Sequence, residues 1–276
     1  MASPSLLFLL LATTIPYTLS SSPPVDSFIF AGCTQEKYSP DSPYSSNLQA
    51  LLTSLLSSAT YSSYSNFTVL GSSVVYGLYQ CRGDLSMPDC SSCVSRSLTR
   101  VSALCPSTCG AAVQLEGCFV KYDNATFVGV EDKTVVFKKC GPSVGSSDNM
   151  GSTEAVLSGL SGSGGYFRVV GSGKVKGVGQ CTGDLGFDQC QDCLSEAIRR
   201  LRSDCGTANY GDLFLGKCYA RYSVGGAHAY EPKAHGKSKN GGEKTFVIII
   251  GLLAGIAVLV IFFAFLKTTC AGRHGK

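Results

Sequence analysis

Leu48, Leu51, Leu52, Leu55 and Leu56 recur at helical spacing between Asn47 and Ala59, which predicts a first helix with one apolar face. Thr153 to Leu160 repeats the signal in a shorter form interrupted by glycine. Thr68 to Gln80 and Phe167 to Gln180 are rich in β-branched and aromatic residues around Gly-Ser turns and read as hairpins. Ser86-Met-Pro-Asp89 has the form of a helix start, and Val94, Leu98 and Val101 follow on one face; Leu194, Ile198 and Leu201 do the same later in the chain. Val113 to Tyr122 with Thr126 to Phe137, Leu213 to Tyr222, and the residues leading into Cys33 and Cys140 supply the remaining strands. The order repeats, so the pattern predicts two α+β units, each an antiparallel sheet with two helices packed on one face.

The two ends of the chain break this pattern. Phe246 to Leu266 holds 21 residues without a charge between Lys244 and Lys267, long enough to cross the roughly 30 Å hydrocarbon core as a transmembrane helix. Leu6 to Leu11 is apolar but too short to span, and Ser20-Ser21-Ser22 before Pro23 reads as the end of a secretory signal, residues 1–22. Cleavage there places the intervening residues outside the cell and leaves Lys267 to Lys276 as a cytosolic tail, a type I arrangement. Residues 231–245 are polar, Gly- and Lys-rich, and form a juxtamembrane stalk.

The 14 cysteines carry the strongest signal. Cys81, Cys90, Cys93, Cys105 and Cys118 return one hundred residues later as Cys181, Cys190, Cys193, Cys205 and Cys218, and Cys33 matches Cys140. This sets a first unit at 26–134 and a second at 135–230, abutting with almost no linker. Units of that size bury little core, there is no Trp, and the secretory route is oxidising, so these cysteines read as disulfides. Six cysteines per unit permit fifteen connectivities, among which spacing does not choose. A redox Cys90-x2-Cys93 pair or a zinc cluster is the sharper alternative, but no His lies beside either set. Cys109 has no counterpart and is left over, as a buried thiol or an intermolecular link.

Charge and titratable residues narrow the function. Residues 26–135 carry a net −3, residues 136–230 a net +2 and residues 231–276 a net +5, so the basic excess sits beside the membrane and argues against nucleic acid. His228, His235 and His274 all follow the last cysteine of the second unit, in the stalk region and tail, and no nucleophile elbow, phosphate loop or kinase signature is present, so an enzyme is not expected and no cofactor is called for. Asn66-Phe-Thr68 and Asn124-Ala-Thr126 are glycosylation acceptors in a translocated segment. Gly251 and Gly255 form a GxxxG face for helix association, and Cys270 stands where S-palmitoylation occurs.

The spacing C-x8-C-x2-C-x11-C-x12-C behind a lone cysteine resembles the ginkbilobin-like cysteine-rich domain of plants, and two copies with one span and no kinase resemble the plasmodesmata-located proteins, over about residues 26–276. The resemblance implies the pairs Cys33–Cys105, Cys81–Cys90, Cys93–Cys118, Cys140–Cys205, Cys181–Cys190 and Cys193–Cys218. It also implies a non-enzymatic, receptor-like protein at plasmodesmata that regulates cell-to-cell traffic, with callose-linked closure, docking of viral movement proteins, and association with similar receptor-like chains. A related domain binds mannose through an Asn, an Arg and an acid, and here those positions hold Thr34, Ala112 and Asp123, then Gly141, Asp212 and Ser223. Only Asp123 keeps the charge, although Tyr61, Tyr64, Tyr76 and Tyr79 offer stacking surfaces for another cell-wall polysaccharide. A membrane-anchored lectin and a kinase-less partner of receptor kinases at the plasma membrane are therefore the competing readings.

Overall fold

The structure, a computed structural model, describes residues 24–143, 149–162 and 164–226. The expected signal peptide, stalk, membrane helix and tail lie outside the described residues, as do Gly251, Gly255, Cys270, His228, His235 and His274. Among the described residues no helix is long and apolar enough to cross a membrane.

Each module has the same order of elements. The first runs β1 (Phe28–Cys33), α1 (Pro43–Ser58), β2 (Tyr64–Val69), β3 (Val75–Cys81), α2 (Met87–Leu104), β4 (Ala111–Leu115) and β5 (Cys118–Asp123). The second runs β6 (Val135–Cys140), α3 (Met150–Ser161), β7 (Phe167–Ser172), β8 (Val175–Cys181), α4 (Phe187–Cys205), β9 (Tyr210–Leu215) and β10 (Cys218–Val224). The five strands of each sheet lie in the order β1-β4-β5-β3-β2 and β6-β9-β10-β8-β7, antiparallel throughout.

Local chemistry fixes where these elements start. Helix α1 begins four residues earlier than its leucine pattern, because Ser42 caps it by accepting the Ser45 N–H and Pro43 follows inside the first turn. Ser86 caps α2 in the same way through the Asp89 N–H at 3.3 Å, whereas α4 uses Gln189 to accept the Gly186 N–H at 2.8 Å. Strand β2 likewise starts at Tyr64, ahead of the β-branched run expected from Thr68. The expected strand from Thr126 to Phe137 is corrected: only from Val135 does the chain pair with a neighbour, and that strand belongs to the second module. Residues 124–134 turn instead, with Asp123 and Asp132 side chains accepting the N–H groups two residues on, from Ala125 and Thr134.

All three disulfides of a module have one foot on the same helix or its cap. Cys81–Cys90 ties the end of β3 to the first turn of α2, Cys93–Cys118 ties α2 to the start of β5, and Cys33–Cys105 ties the end of β1 to the helix C-cap. Cys181–Cys190, Cys193–Cys218 and Cys140–Cys205 repeat this around α4. A C-x-x-C spacing puts Cys90 and Cys93 on one helical face, and both are wholly buried against the sheet. The same face carries Val94 and Val101, and in α4 Leu194, Ala197, Ile198 and Leu201.

The modules meet through the sheet faces that bear no helix. In β5, Cys118, Val120 and Tyr122 enter the helix-covered core, and strand alternation sends Phe119 and Lys121 to the other side. Leu78, Val178 and Phe214 lie on these rear faces outside either core, yet are only 1%, 1% and 3% exposed. Phe30 of the first module stacks near Phe137 of the second, with ring centroids 6.1 Å apart, and meets Phe214 edge-on at 5.8 Å. The contact is reciprocal: a Cβ on Gly83 would fall 2.5 Å from Phe167, and one on Gly183 would fall 2.7 Å from Tyr64. Tyr64 and Phe167 hold matching places opposite Gln80 and Gln180, so the seam has an approximate two-fold relation.

Two outcomes follow from the stapling and the seam. In the chain-entropy account, removing Cys33–Cys105, which encloses 72 residues, costs about 2 kcal/mol more than removing Cys81–Cys90, which encloses 9. Denaturant unfolding of the secreted ectodomain with each pair changed to Ser measures this, and equal losses would contradict it. Gly83→Val or Gly183→Val should each cost about 1–3 kcal/mol by overpacking the seam. Gly32→Ala, with nothing within 4 Å of its added Cβ, is the neutral control in the same melting series.

Candidate functional site

The rear faces enclose charge as well as aromatic surface. Arg221 projects from β10 between the modules, and its guanidinium donates to both Glu116 oxygens at 2.6 and 3.0 Å and to Asp212 at 2.7 and 3.3 Å. All three side chains are at most 7% exposed. Burial disfavours the Arg221 charge, but Asp212 and Glu116 outweigh it and hold the guanidinium above its ordinary range. Arg82 lies alongside, forked onto Asp84 and donating to the Glu116 carbonyl at 3.0 Å. The Arg82 and Asp84 side chains are therefore turned inward, while Gly83 between them stays exposed.

A second buried pair fastens the connection between modules. Lys217 donates to Asp184 and to the Phe127 carbonyl at 2.8 Å, and its ammonium stands 5.1 Å from the Phe127 ring centre. Asp184 also accepts the Gly129 N–H at 2.8 Å. Burial is the larger influence on Lys217 and pushes its pKa down, with Asp184 partly offsetting it. At Asp184 burial works the other way, and the bond from Lys217 helps hold the carboxyl below its ordinary range. Main-chain groups complete the seam: Gln180 Nε2 donates to the Cys81 carbonyl and the Gly183 N–H to Gln80 Oε1, each at 2.9 Å.

A cleft of about 90 Å³ opens along the seam, lined among others by Gln80, Gln114, Lys121, Asp132, Gln180 and Phe214. Pockets that enclose drug-sized ligands start at roughly 300 Å³, so this one has room for water or a small polar molecule and not for a sugar chain. Among the described residues no three His, Cys, Asp or Glu side chains gather as a metal site.

Of the residues that the resemblance grouped around sugar binding, the structure brings Thr34 and Asp123 together and engages others elsewhere. In the first module Gly110 is wedged between Thr34 and Asp123, while Ala112 lines the seam cleft. In the second, Asp212 is consumed by Arg221, Ser223 is buried, and a Cβ on Gly141 would fall 2.1 Å from Asn209 Oδ1 and 2.5 Å from the Tyr210 ring, so a larger residue there requires both side chains to shift. The tyrosines do not form one platform either. Tyr79 is fully buried, Tyr76 is half-buried and Tyr64 leans on Gly183, which leaves Tyr61, 72% exposed, on its own.

The remaining singled-out residues are placed as follows. Cys109 is a free, buried thiol; its N–H reaches the Glu36 carbonyl at 2.9 Å and its carbonyl accepts the Tyr44 hydroxyl. Burial, then Glu36 and Asp123, push its thiol pKa up. Asn124 is exposed in the turn after β5, where its side chain donates to Glu36 at 3.0 Å. Asn66 is exposed within edge strand β2 and not in a turn, donating to the Tyr64 hydroxyl at 2.7 Å. Sequence reasoning missed Arg82, Asp84, Glu116, Asp184, Lys217 and Arg221. The signal was the charges inside strands and strand turns, but alternation marks only which face they share and not that a second module covers it.

Comparison with known proteins agrees with the two-module build. The family model described as salt stress response/antifungal matches residues 32–125 and 143–225. Plasmodesmata-located protein 7 of Arabidopsis thaliana is 57% identical over 271 residues, covering 97% of this chain and 91% of that protein. Plasmodesmata-located protein 6 of the same plant is 54% identical over 270 residues, covering 93% of each. Among solved structures, the tandem DUF26 ectodomain of the Arabidopsis thaliana cysteine-rich receptor-like protein PDLP5 is 46% identical with a TM-score of 0.70, covering 72% of this chain and 100% of that one. With both modules matched and similarity running along nearly the full length, the chain belongs to the salt stress response/antifungal family and, within it, to the plasmodesmata-located proteins.

Proposed function

We propose that this chain is a non-enzymatic, receptor-like protein of the plasmodesmal membrane, oriented type I, whose ectodomain restricts cell-to-cell traffic by lateral assembly with similar chains. The observation that carries this reading is the tandem ectodomain locked through its seam and followed in sequence by an uncharged segment from Phe246 to Leu266. In this reading the information is carried by association of ectodomains, or of the Gly251 and Gly255 helix face. The names of the relatives support the location. Callose-linked closure and docking of movement proteins belong to the same reading. The lectin alternative draws no support from the geometry, since Asp212 is engaged by Arg221 and Gly141 is hemmed in by Asn209.

A fluorescent fusion of the full chain should label discrete wall-spanning points and reduce spread of a freely diffusing reporter protein between neighbouring leaf cells. The same fusion lacking Phe246–Leu266 should be secreted and leave spread unchanged. Even labelling of the whole plasma membrane would remove the plasmodesmal reading in favour of a general cell-surface role. Binding of the purified ectodomain to mannose-rich glycan would reinstate the lectin.

A further inference from the structure

The first module carries two features that the second lacks, and they touch. Cys109 stands where the second module has Asn209, and the acceptor Asn124 stands where it has Val224. The backbone link between the paired positions is kept: the Asn124 N–H donates to the Cys109 carbonyl at 3.1 Å, and the Val224 N–H donates to the Asn209 carbonyl at 2.8 Å. Only in the first module does this link join a free thiol to a glycosylation sequon. Glu36 closes the group, taking the Cys109 N–H on its carbonyl and the Asn124 side chain on its carboxylate.

Cys109 belongs to the helix-covered core of the first module, yet its backbone is bonded to Glu36 and Asn124, both exposed at the surface. The residue is 5% exposed, and the side chains beside it at the surface, Glu36 and Asn124, are themselves exposed, with Asp123 half-buried. In an oxidising compartment a Cys109 thiolate that gains access attacks one sulfur of a disulfide on another chain, forming a mixed disulfide and releasing the other sulfur as a thiol. Its raised pKa slows that reaction without blocking it. Asn124, Ala125 and Thr126 are all exposed, so the acceptor side chain and the hydroxyl of its sequon are both presented outward.

We propose that Asn124 carries an N-linked glycan that lies over the Cys109 corner and keeps this thiol from forming disulfides between chains. The transfer replaces one hydrogen of the Asn124 side-chain nitrogen with the anomeric carbon of an oligosaccharide. The donor is a lipid-diphosphate-linked oligosaccharide; the lipid diphosphate leaves and the nitrogen loses a proton, so no oxidant is involved. This rests on the translocated ectodomain of the proposed function. Asn66 tests that separately, being exposed on edge strand β2 while Asn124 follows β5, two strands away in the sheet.

The full chain, expressed in a plant secretory host, is read by glycopeptide mass spectrometry at both acceptors, by the rate at which a bulky maleimide labels Cys109 in the native protein, and by non-reducing gels. Thr126→Ala removes the sequon and keeps the Asn124 to Glu36 bond; Thr126→Ser keeps both. Expected are an occupied Asn124, labelling about tenfold faster in Thr126→Ala, as thiol reactivity follows access, and disulfide-linked dimers that vanish when Cys109→Ser is added. Thr126→Ser should behave as the parent. An occupied Asn66 with a bare Asn124, or equal labelling of Thr126→Ala and parent, overturns the inference while leaving the ectodomain reading intact. Both acceptors bare in that host would overturn the ectodomain reading and this inference together.

Discussion

A sheet with both of its helices on one side has a second face to cover, and that requirement organises the whole ectodomain. Leu78, Val178 and Phe214 lie on these second faces and are almost fully buried, although neither helical core includes them. A single module would expose this surface, so the duplication is part of how each copy is stabilised. Disulfides solve a different problem. They hold α2 and α4 onto the front faces, where a module of about 100 residues has little apolar area to do so unaided. With α2 and α4 fixed by covalent bonds, the rear face keeps its shape and can be matched by another surface.

That matching is symmetric in shape and asymmetric in charge. Gly83 and Gly183 each receive an aromatic ring from the other module, as a two-fold seam requires. The buried charges do not obey the two-fold: at the positions of Arg82, Glu116, Asp212, Lys217 and Arg221 the opposite copy has Thr182, Gly216, Ala112, Gly117 and Lys121. Only Asp84 and Asp184 recur. Burying Arg221 without partners would cost several kcal/mol, and its placement between Glu116 and Asp212 offsets that only in one pairing of faces. Two first modules, or two second modules, would bring these charges together without their complements. The network thus favours pairing within one chain over pairing of like modules.

Much of this was readable before any coordinates, for reasons that differ by level. Helical spacing in Leu48 to Leu55 and the S-x-x-D start at Ser86 are local signals, and local signals survive in one sequence. The boundaries drifted where capping outranked hydrophobic pattern, as at Ser42 and Pro43. Thr126 to Phe137 was misread because Thr126, Phe127, Val128 and Val130 have strand propensity while Asp132 and Gly129 set turns. The seam was illegible for a deeper reason. A strand's polar alternation reports that a face is not greasy, and Arg221 or Glu116 written into such a face looks solvated until a partner sheet is seen to cover it. For the same reason Asp212, legible in the sequence only as a replacement of the sugar-binding Arg, gives no sign that it anchors Arg221.

The seam also constrains how the ectodomain can act. Two-lobed receptors that respond by hinge closure need a connection free to bend and an interface that opens at modest cost. Here the connection is held at Phe127 by Lys217 and at Gly129 by Asp184, and opening the faces would strand Arg221 and Glu116 from each other. Truncating one member of such a pair typically costs about 3–5 kcal/mol, so a weakly binding ligand has too little energy to pry the modules apart. On the proposed reading the ectodomain therefore behaves as one body, and information passes by which bodies lie side by side. That shifts attention from the seam to the outer edges: strand β2, where Asn66 stands, and the corner of Glu36, Cys109 and Asn124, an exposed place where the two copies differ in chemistry while their backbones agree.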